Sequence, residues 1–232
     1  MNEKDLRTKR ISGAYTINNE IYLSVTTILS VIDKSSALTR WFGGEVYDFI
    51  ASELAKGNQL PDRKESLSAP YQTNKKAKNR GTTVHSIVEG WKNMGSIAGI
   101  EGPFQGYARS FRDWVSHHNV EIVENEKTVI SKKYGYAGTL DMLAKVNGKL
   151  MIVDVKTGKD LYPEVKLQTS AYRQALLEGG INVEGTSALL LQEDGSYKFE
   201  THPDKLGAFL AAKILYTGLN SERLEKLGYK FI

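Results

Sequence analysis

The chain has 232 residues, 31 basic against 27 acidic side chains and no cysteine, with 41% hydrophobic and 25% charged residues. Such values describe an ordinary globular chain long enough for one sizeable core; they exclude a disulfide scaffold, a thiolate zinc site, a cysteine-held iron–sulfur cluster and a cysteine nucleophile. No apolar run approaches the roughly 20 residues of a membrane span, and the start Met1-Asn2-Glu3-Lys4-Asp5 is charged, so a cytoplasmic protein with no membrane partner is expected, while a net charge of +4 permits a nucleic-acid partner without arguing for one.

Residues 14–23 alternate around Asn18-Asn19, which predicts a small hairpin. Ser24 is placed to cap a helix carrying Val25, Ile28, Leu29 and Ile32 at i, i+3, i+4 and i+7. A second helix is expected from Ala37 to Lys56, stopped by Gly57. The polar stretch 57–72, with Pro61 and Pro70, reads as a loop. A third helix is expected from Asn74 to Asn93, with Val84, Ile87, Val88 and Trp91 on one face, and Pro103 opens a fourth with Phe104, Tyr107, Phe111, Trp114 and Val115. From Val120 to Phe199 the period changes to strand, strand, strand, helix, strand, strand. Residues 149–156 are nearly all apolar, as in a strand buried on both faces. Pro163 starts a helix that ends at Gly179-Gly180, residues 187–191 and 196–200 make a hairpin across Gly195, and a last helix covers 203–217. The expected fold class is α/β (α+β), a mixed central sheet flanked by helices. A mainly helical part over 1–118, carrying His85, packs on an α/β core over 119–232 as a single domain.

Asn147-Gly148 between strand-like residues is the strongest short hairpin signal in the chain. With these two as the turn, opposed positions sum to 295, so Val146 faces Lys149 and Asp141 faces Asp154. Lys156 lies two residues beyond Asp154 and shares its face. Two carboxylates and a lysine therefore meet on one patch of buried sheet. Opposed like charges destabilise a sheet, and buried carboxylates without partners cost more still. A hard divalent cation, completed by phosphate and water, would resolve the conflict. The alternative is that Lys156 neutralises one Asp while the other reaches solvent. Without metal, removing either carboxylate is expected to leave stability unchanged or to raise it. A desolvated lysine beside a cation is expected to have a depressed pKa, which suits the handling of water.

Neighbouring residues extend the patch. Gln168 and Tyr172 lie at i and i+4, hence on one helix face. His85 lies one step from the apolar stripe of the third helix. Lys75, Lys76, Lys78 and Arg80 crowd the predicted start of that helix, where cations oppose the helix dipole and a bound phosphate would remove the conflict; a solvated loop is the alternative. Glu124 and Glu126 precede the hairpin and read as a solvated strand face, and Glu89 follows His85 by one turn. Tyr134 and Tyr136, beside Lys132 and Lys133, would either stack on unpaired bases or fill the core.

Gly81 to His85, Gly138 to Asp141, Asp154-Val155-Lys156 and Gln168 to Tyr172, in that order, resemble the Gly-x-x-x-His, Gly-x-x-Asp, Asp-x-Lys and Gln-x-x-x-Tyr motifs of the PD-(D/E)XK nuclease superfamily, in its RecB-like exonuclease branch. The match spans residues 80–176. The start Ser24-Val25-Thr26-Thr27-Ile28-Leu29, with Trp41 beyond it, is similar to stand-alone phage or prophage members. The resemblance implies a restriction-endonuclease-like core and a metal-dependent deoxyribonuclease. Mg²⁺ or Mn²⁺ would be held by Asp141, Asp154, His85 and the Val155 carbonyl. Lys156 would position or help deprotonate the attacking water, and Gln168 and Tyr172 would orient Lys156 or touch the DNA backbone. Lys75, Lys76, Lys78 and Arg80 are the expected DNA contacts. The implied activity is an exonuclease in phage replication or recombination, with an associated replication or recombination protein. A single-strand or flap endonuclease and a non-cutting DNA-binding module are the alternatives. A helical layer carrying His85 over the hairpin would narrow the approach to a channel, which favours a free DNA end. Nothing reads as a helicase P-loop, so processive unwinding is not implied.

Overall fold

The computed structural model describes residues 8–11, 13–94, 100 and 102–231. Its contacts divide the chain into two units, Met1–Val31 with Val84–Ile232, and Ile32–Thr83.

The larger unit is a mixed α/β structure on one eight-stranded sheet. β1 (Thr8–Ile11), β2 (Ala14–Ile17) and β3 (Glu20–Ser24) form an antiparallel meander. Asn18 and Asn19 hold left-handed φ values of 51° and 66° at its second turn, as a two-residue hairpin requires. α1 (Val25–Ile28) is one turn long and passes into a 3-10 turn over Leu29–Val31, shorter than the sequence pattern predicts. Three of its four residues are followed or preceded by β-branched neighbours (Val25, Thr26, Thr27, Ile28), which lose χ1 freedom in a helix. Ser24 makes no side-chain cap bond; its hydroxyl lies 3.0 Å from that of Thr26.

The chain continues through α2 (Ser35–Ala55) and α3 (Arg63–Met94), which re-enters the larger unit at Val84, and then α4 (Gln105–His117). β4 (Glu121–Ser131), β5 (Tyr136–Val146) and β6 (Lys149–Lys156) follow. After them come α5 (Glu164–Glu178), β7 (Gly185–Leu191), β8 (Tyr197–His202), α6 (Leu206–Leu219) and α7 (Ser221–Lys226). β6 and β7 run parallel with α5 as the crossover, and β8 closes antiparallel on β7.

β5 organises the sheet. One of its edges pairs with β4 from Tyr136 to Lys145. The other is divided. Tyr136 and Ala137 pair in parallel with Leu23 and Ser24 of β3, whereas Met142 to Val146 pair antiparallel with Val153 to Lys149 of β6. Residues 138–141 lie between these partners, where the sheet splits. Asn147 and Gly148, at φ 49° and 82°, make the predicted turn, and every β5–β6 pair sums to 295 as expected.

Met142, Ala144 and Val146 of β5, with Val153 and Val155 of β6 and Leu189 of β7, pack against Val84 and Val88 of α3 and Phe111 and Trp114 of α4. Trp91 of α3 meets the Phe111 ring edge-on, with centroids 5.6 Å apart. Asp154 and Lys156 alternate with Val153 and Val155, so they project to the opposite face, where α5 lies. α4 is fastened to the turn between β7 and β8. Ser110 Oγ lies 2.9 Å from the Gln192 carbonyl oxygen and 2.7 Å from that of Ser196, and Arg109 donates to the Asp194 carbonyl at 2.7 Å. A Cβ on Gly106 would fall 1.6 Å from the Glu193 carbonyl oxygen, so only glycine allows this approach.

The smaller unit holds α2 and the first two-thirds of α3, with an edge-to-face contact between Phe42 and Tyr71 at 5.9 Å. α2 matches its predicted span, and Gly57 follows it at φ 81°. The stretch expected to be a loop over 57–72 is instead helical from Arg63, with Pro70 inside the helix. A reciprocal cap overrides the proline. The Glu65 N–H donates to Asp62 Oδ1 at 2.8 Å and the Asp62 N–H to Glu65 Oε2 at 3.3 Å, a capping box that nucleates the helix upstream of the one bond Pro70 removes. Lys75, Lys76, Lys78 and Arg80 therefore sit well inside α3, and the helix-dipole argument for a phosphate at that point does not apply. The three lysines are exposed. Among the described residues no helix is long and apolar enough to cross a membrane.

Candidate active site

The split in the sheet gathers the residues singled out from the sequence. The β5–β6 ladder ends at Met142 and Val153, one pair short of Asp141 and Asp154. Beyond that point β6 stays paired with β7 only, from Asp154 with Ala188 to Lys156 with Leu190. The Val155 N–H, released from β5, donates to Asp141 Oδ2 at 2.8 Å. One carboxylate thus replaces the missing backbone partner.

Asp154 is 1% exposed and both of its oxygens are engaged. Gln168 Nε2 donates to Oδ1 at 2.9 Å, and Lys156 Nζ forms an ion pair with Oδ2. Gln168 Nε2 also donates to the Tyr172 hydroxyl at 3.2 Å. Burial, followed by the charges of Asp154 and Asp141, holds the Tyr172 phenol well above its ordinary pKa.

Gly138 explains why the Tyr172 ring reaches so close. A Cβ at this position would lie 2.4 Å from Tyr172 Cε1. Gly138→Ala is therefore expected to push the ring off β5 and destabilise the fold by about 1–3 kcal/mol. The companion change Tyr172→Leu should recover part of the loss. Thermal unfolding of the single and double variants checks this; an unperturbed Gly138→Ala would mean that the ring yields without cost.

His85 arrives from α3. Its Nε2 lies 3.1 Å from the Val155 carbonyl oxygen, and its Nδ1 lies 3.8 Å from both Glu126 Oε1 and Asp141 Oδ1, ion-pair distances rather than hydrogen bonds. Glu126 is a member of the site that the sequence reading placed on a solvated face. It adopts a left-handed φ of 50° within β4, between the pairs Asn125–Met142 and Lys127–Leu140, opposite Asp141. Glu124 does not join: it pairs with the buried Lys127 at 3.1 Å. The Glu89 side chain is not part of the His85, Glu126 and Asp141 group. Tyr136 is fully buried and donates to the Ala171 carbonyl at 2.9 Å, so it is a core residue and cannot stack on a base.

His85, Glu126 and Asp141 each offer one ligand atom, all within 4.8 Å of one another. One imidazole nitrogen and two carboxylate oxygens on three separate elements are donors suited to a divalent cation. In the metal-free site the charges compensate one another. Burial, reinforced by Asp154, pushes the Asp141 carboxyl up to about 7. Glu126 raises the His85 pKa against the opposing effect of burial, and Asp141 adds to the rise. Burial pulls Lys156 down, but Asp154 and Asp141 outweigh it, so its pKa is raised rather than depressed.

These directions set the pH dependence of the metal-free fold. Asp141 and His85 both bind protons more tightly folded than unfolded, so stability falls as pH rises. The Asp141 contribution is lost between pH ~4, its unfolded value, and about 7, and the His85 contribution from ~6.5 upward through its raised value. Chelator-treated protein is expected to unfold at a higher temperature at pH 6 than at pH 8. Asp141→Asn should flatten the slope; a midpoint that rises with pH would contradict the assignment.

No family model matches the sequence, and no curated protein matches it. Among solved structures, the chain is similar to an alkaline exonuclease (LHK-Exo) from Laribacter hongkongensis, with 11% identity and a TM-score of 0.47 over 89% of this chain and 91% of that one. LHK-Exo in complex with dAMP is similar at 12% identity and a TM-score of 0.45, over the same shares of the two chains.

Proposed function

We propose that the chain is a metal-dependent deoxyribonuclease of the PD-(D/E)XK type, in the RecB-like branch. In this reading it acts as an exonuclease on linear or single-stranded-ended DNA in replication or recombination. The observation that carries the nuclease reading is the pairing of buried Asp154 with Lys156 beside Asp141 and His85 at the split end of β5 and β6. Those residues are the Asp-x-Lys, Gly-x-x-Asp and Gly-x-x-x-His motifs of the resemblance. The exonuclease mode rests on the resemblance.

His85 and Asp141 belong to the set that would hold Mg²⁺ or Mn²⁺. When bound, the cation supplies an activated water and stabilises charge on the transferring phosphoryl group. Asp154 holds the Lys156 ammonium, and Gln168 fixes Asp154 from the α5 side. An ammonium has three N–H donors, so the pairing leaves others for a phosphate oxygen or the attacking water. The phosphate charge that Lys156 meets is the one that DNA must bring. Lys75, Lys76 and Lys78 are the proposed backbone contacts, on exposure and charge.

End-labelled linear DNA and covalently closed circular DNA, each with Mg²⁺, Mn²⁺ or a chelator, test the reading. Linear DNA with single-stranded ends should be degraded about tenfold or more faster than circles, and the chelator should stop the reaction. Comparable rates on circular and linear single strands would make the chain an endonuclease. DNA binding without cleavage in either cation would make it a binding module.

A further inference from the structure

We propose that the resident cation is bound by His85 Nδ1, Glu126 and Asp141, with Asp154 and the Val155 carbonyl outside the ligand set, and that these donors favour Mn²⁺ over Mg²⁺. The proposal rests on the metal-dependent reading above and specifies its ligands.

The His85 ring is oriented by the backbone. A carbonyl oxygen only accepts, so the 3.1 Å contact with Val155 puts a hydrogen on Nε2 and, in the neutral ring, leaves the lone pair on Nδ1. That nitrogen is the one equidistant, at 3.8 Å, from Glu126 and Asp141. A metal-bound histidine usually donates its other N–H to a carbonyl or carboxylate, which fixes the tautomer and the ring plane. Val155 does this here. Its carbonyl is then an anchor for the ligand rather than a ligand itself.

Asp154 has a different employment. Gln168 takes one oxygen and the Lys156 ammonium the other, at 1% exposure. A cation would have to displace one of these donors in order to bind it. Asp141 differs in that Oδ2 serves the Val155 N–H while Oδ1 faces His85. Glu126, which has no hydrogen-bonding claim of this kind on its Oε1 and is 45% exposed, supplies the third donor from the open side. Water and a phosphate oxygen can complete the shell there. An imidazole among the donors works against Mg²⁺, which prefers oxygen and dehydrates reluctantly, and in favour of first-row transition dications.

Calorimetric titration of Mn²⁺ and Mg²⁺ into the full metal-free chain, without DNA, tests the ligand set. The variants are Glu126→Gln and Asp154→Asn, with circular dichroism to establish that each is folded and Glu126→Asp as a second probe of the same position. Wild-type protein should bind Mn²⁺ about tenfold or more tightly than Mg²⁺. Glu126→Gln should weaken Mn²⁺ by about tenfold or more and Asp154→Asn by no more than about threefold. Pulsed electron spin resonance of bound Mn²⁺ should show one coupled ¹⁴N that disappears in His85→Ala. An Asp154→Asn loss equal to or greater than that of Glu126→Gln, wild-type affinity in Glu126→Gln, or no Mn²⁺ binding by wild type would overturn the proposal. The expected binding pattern in a chain that cuts no DNA would uphold the ligand set and sink the nuclease reading instead.

Discussion

Asp141→Asn is expected to abolish Mn²⁺- or Mg²⁺-supported cleavage, a loss on the order of 10³-fold or more, while raising the thermal stability of the metal-free chain. Asp141 is 15% exposed and faces Asp154 across the end of the hairpin. Its carboxyl is pushed up to about 7, first by burial and then by that neighbour. Removing the charge relieves both effects, a gain of up to about 4 kcal/mol above pH 7, and an amide oxygen can still accept the Val155 N–H. Asp154 behaves in the opposite way, against the symmetric expectation drawn from opposed carboxylates. Asp154→Ala strands the Lys156 ammonium and leaves Gln168 without its acceptor, so it should destabilise the fold. Near wild-type cleavage by Asp141→Asn would remove Asp141 from the chemistry.

The second large effect is expected at Lys156. Lys156→Ala should lower turnover by about 10²–10⁴-fold and leave Mn²⁺ affinity unchanged or slightly improved. A charged lysine has no lone pair to offer a metal, and this one is held charged by Asp154 and Asp141 against the pull of burial. Deleting it takes a positive charge away from the cation. Calorimetry beside single-turnover cleavage separates the two roles; activity lost in proportion to metal affinity would reduce Lys156 to a structural counter-ion.

The central hairpin was legible because its determinants are local. Asn147-Gly148 admits one turn geometry, and with two turn residues the register of every pair follows. Gln168 and Tyr172 were legible for the same reason, since a helix from Pro163 to Gly179 fixes their common face. Glu126 was not. The register of β4 on β5 shifts between Ile122 and Glu124, and the left-handed backbone at Glu126 breaks the alternation that would assign its face. The pairing of β3 with β5 joins residues more than a hundred positions apart, beyond any local pattern. The start of α3 was written in the sequence as Asp62-x-x-Glu65, but Pro70 is the louder signal, and a proline eight residues into a well-capped helix removes only one bond.

The fastening of α4 to the far hairpin bears on how the molecule assembles. The contacts of Arg109 and Ser110 with Asp194, Gln192 and Ser196 join chain positions 82 to 86 residues apart, and the Gly106 backbone fits only against a turn that has already formed. Closing so long a loop costs entropy before any contact returns it. β7 and β8 must therefore meet before α4 can seat. Only a seated α4 presents Phe111 to Trp91, on the same stretch of α3 that brings His85 to the carboxylates. The ring that orients on Val155 is thus among the last groups to reach its place, and a refolding chain regains its indole environment at Trp114 before it regains its affinity for a cation.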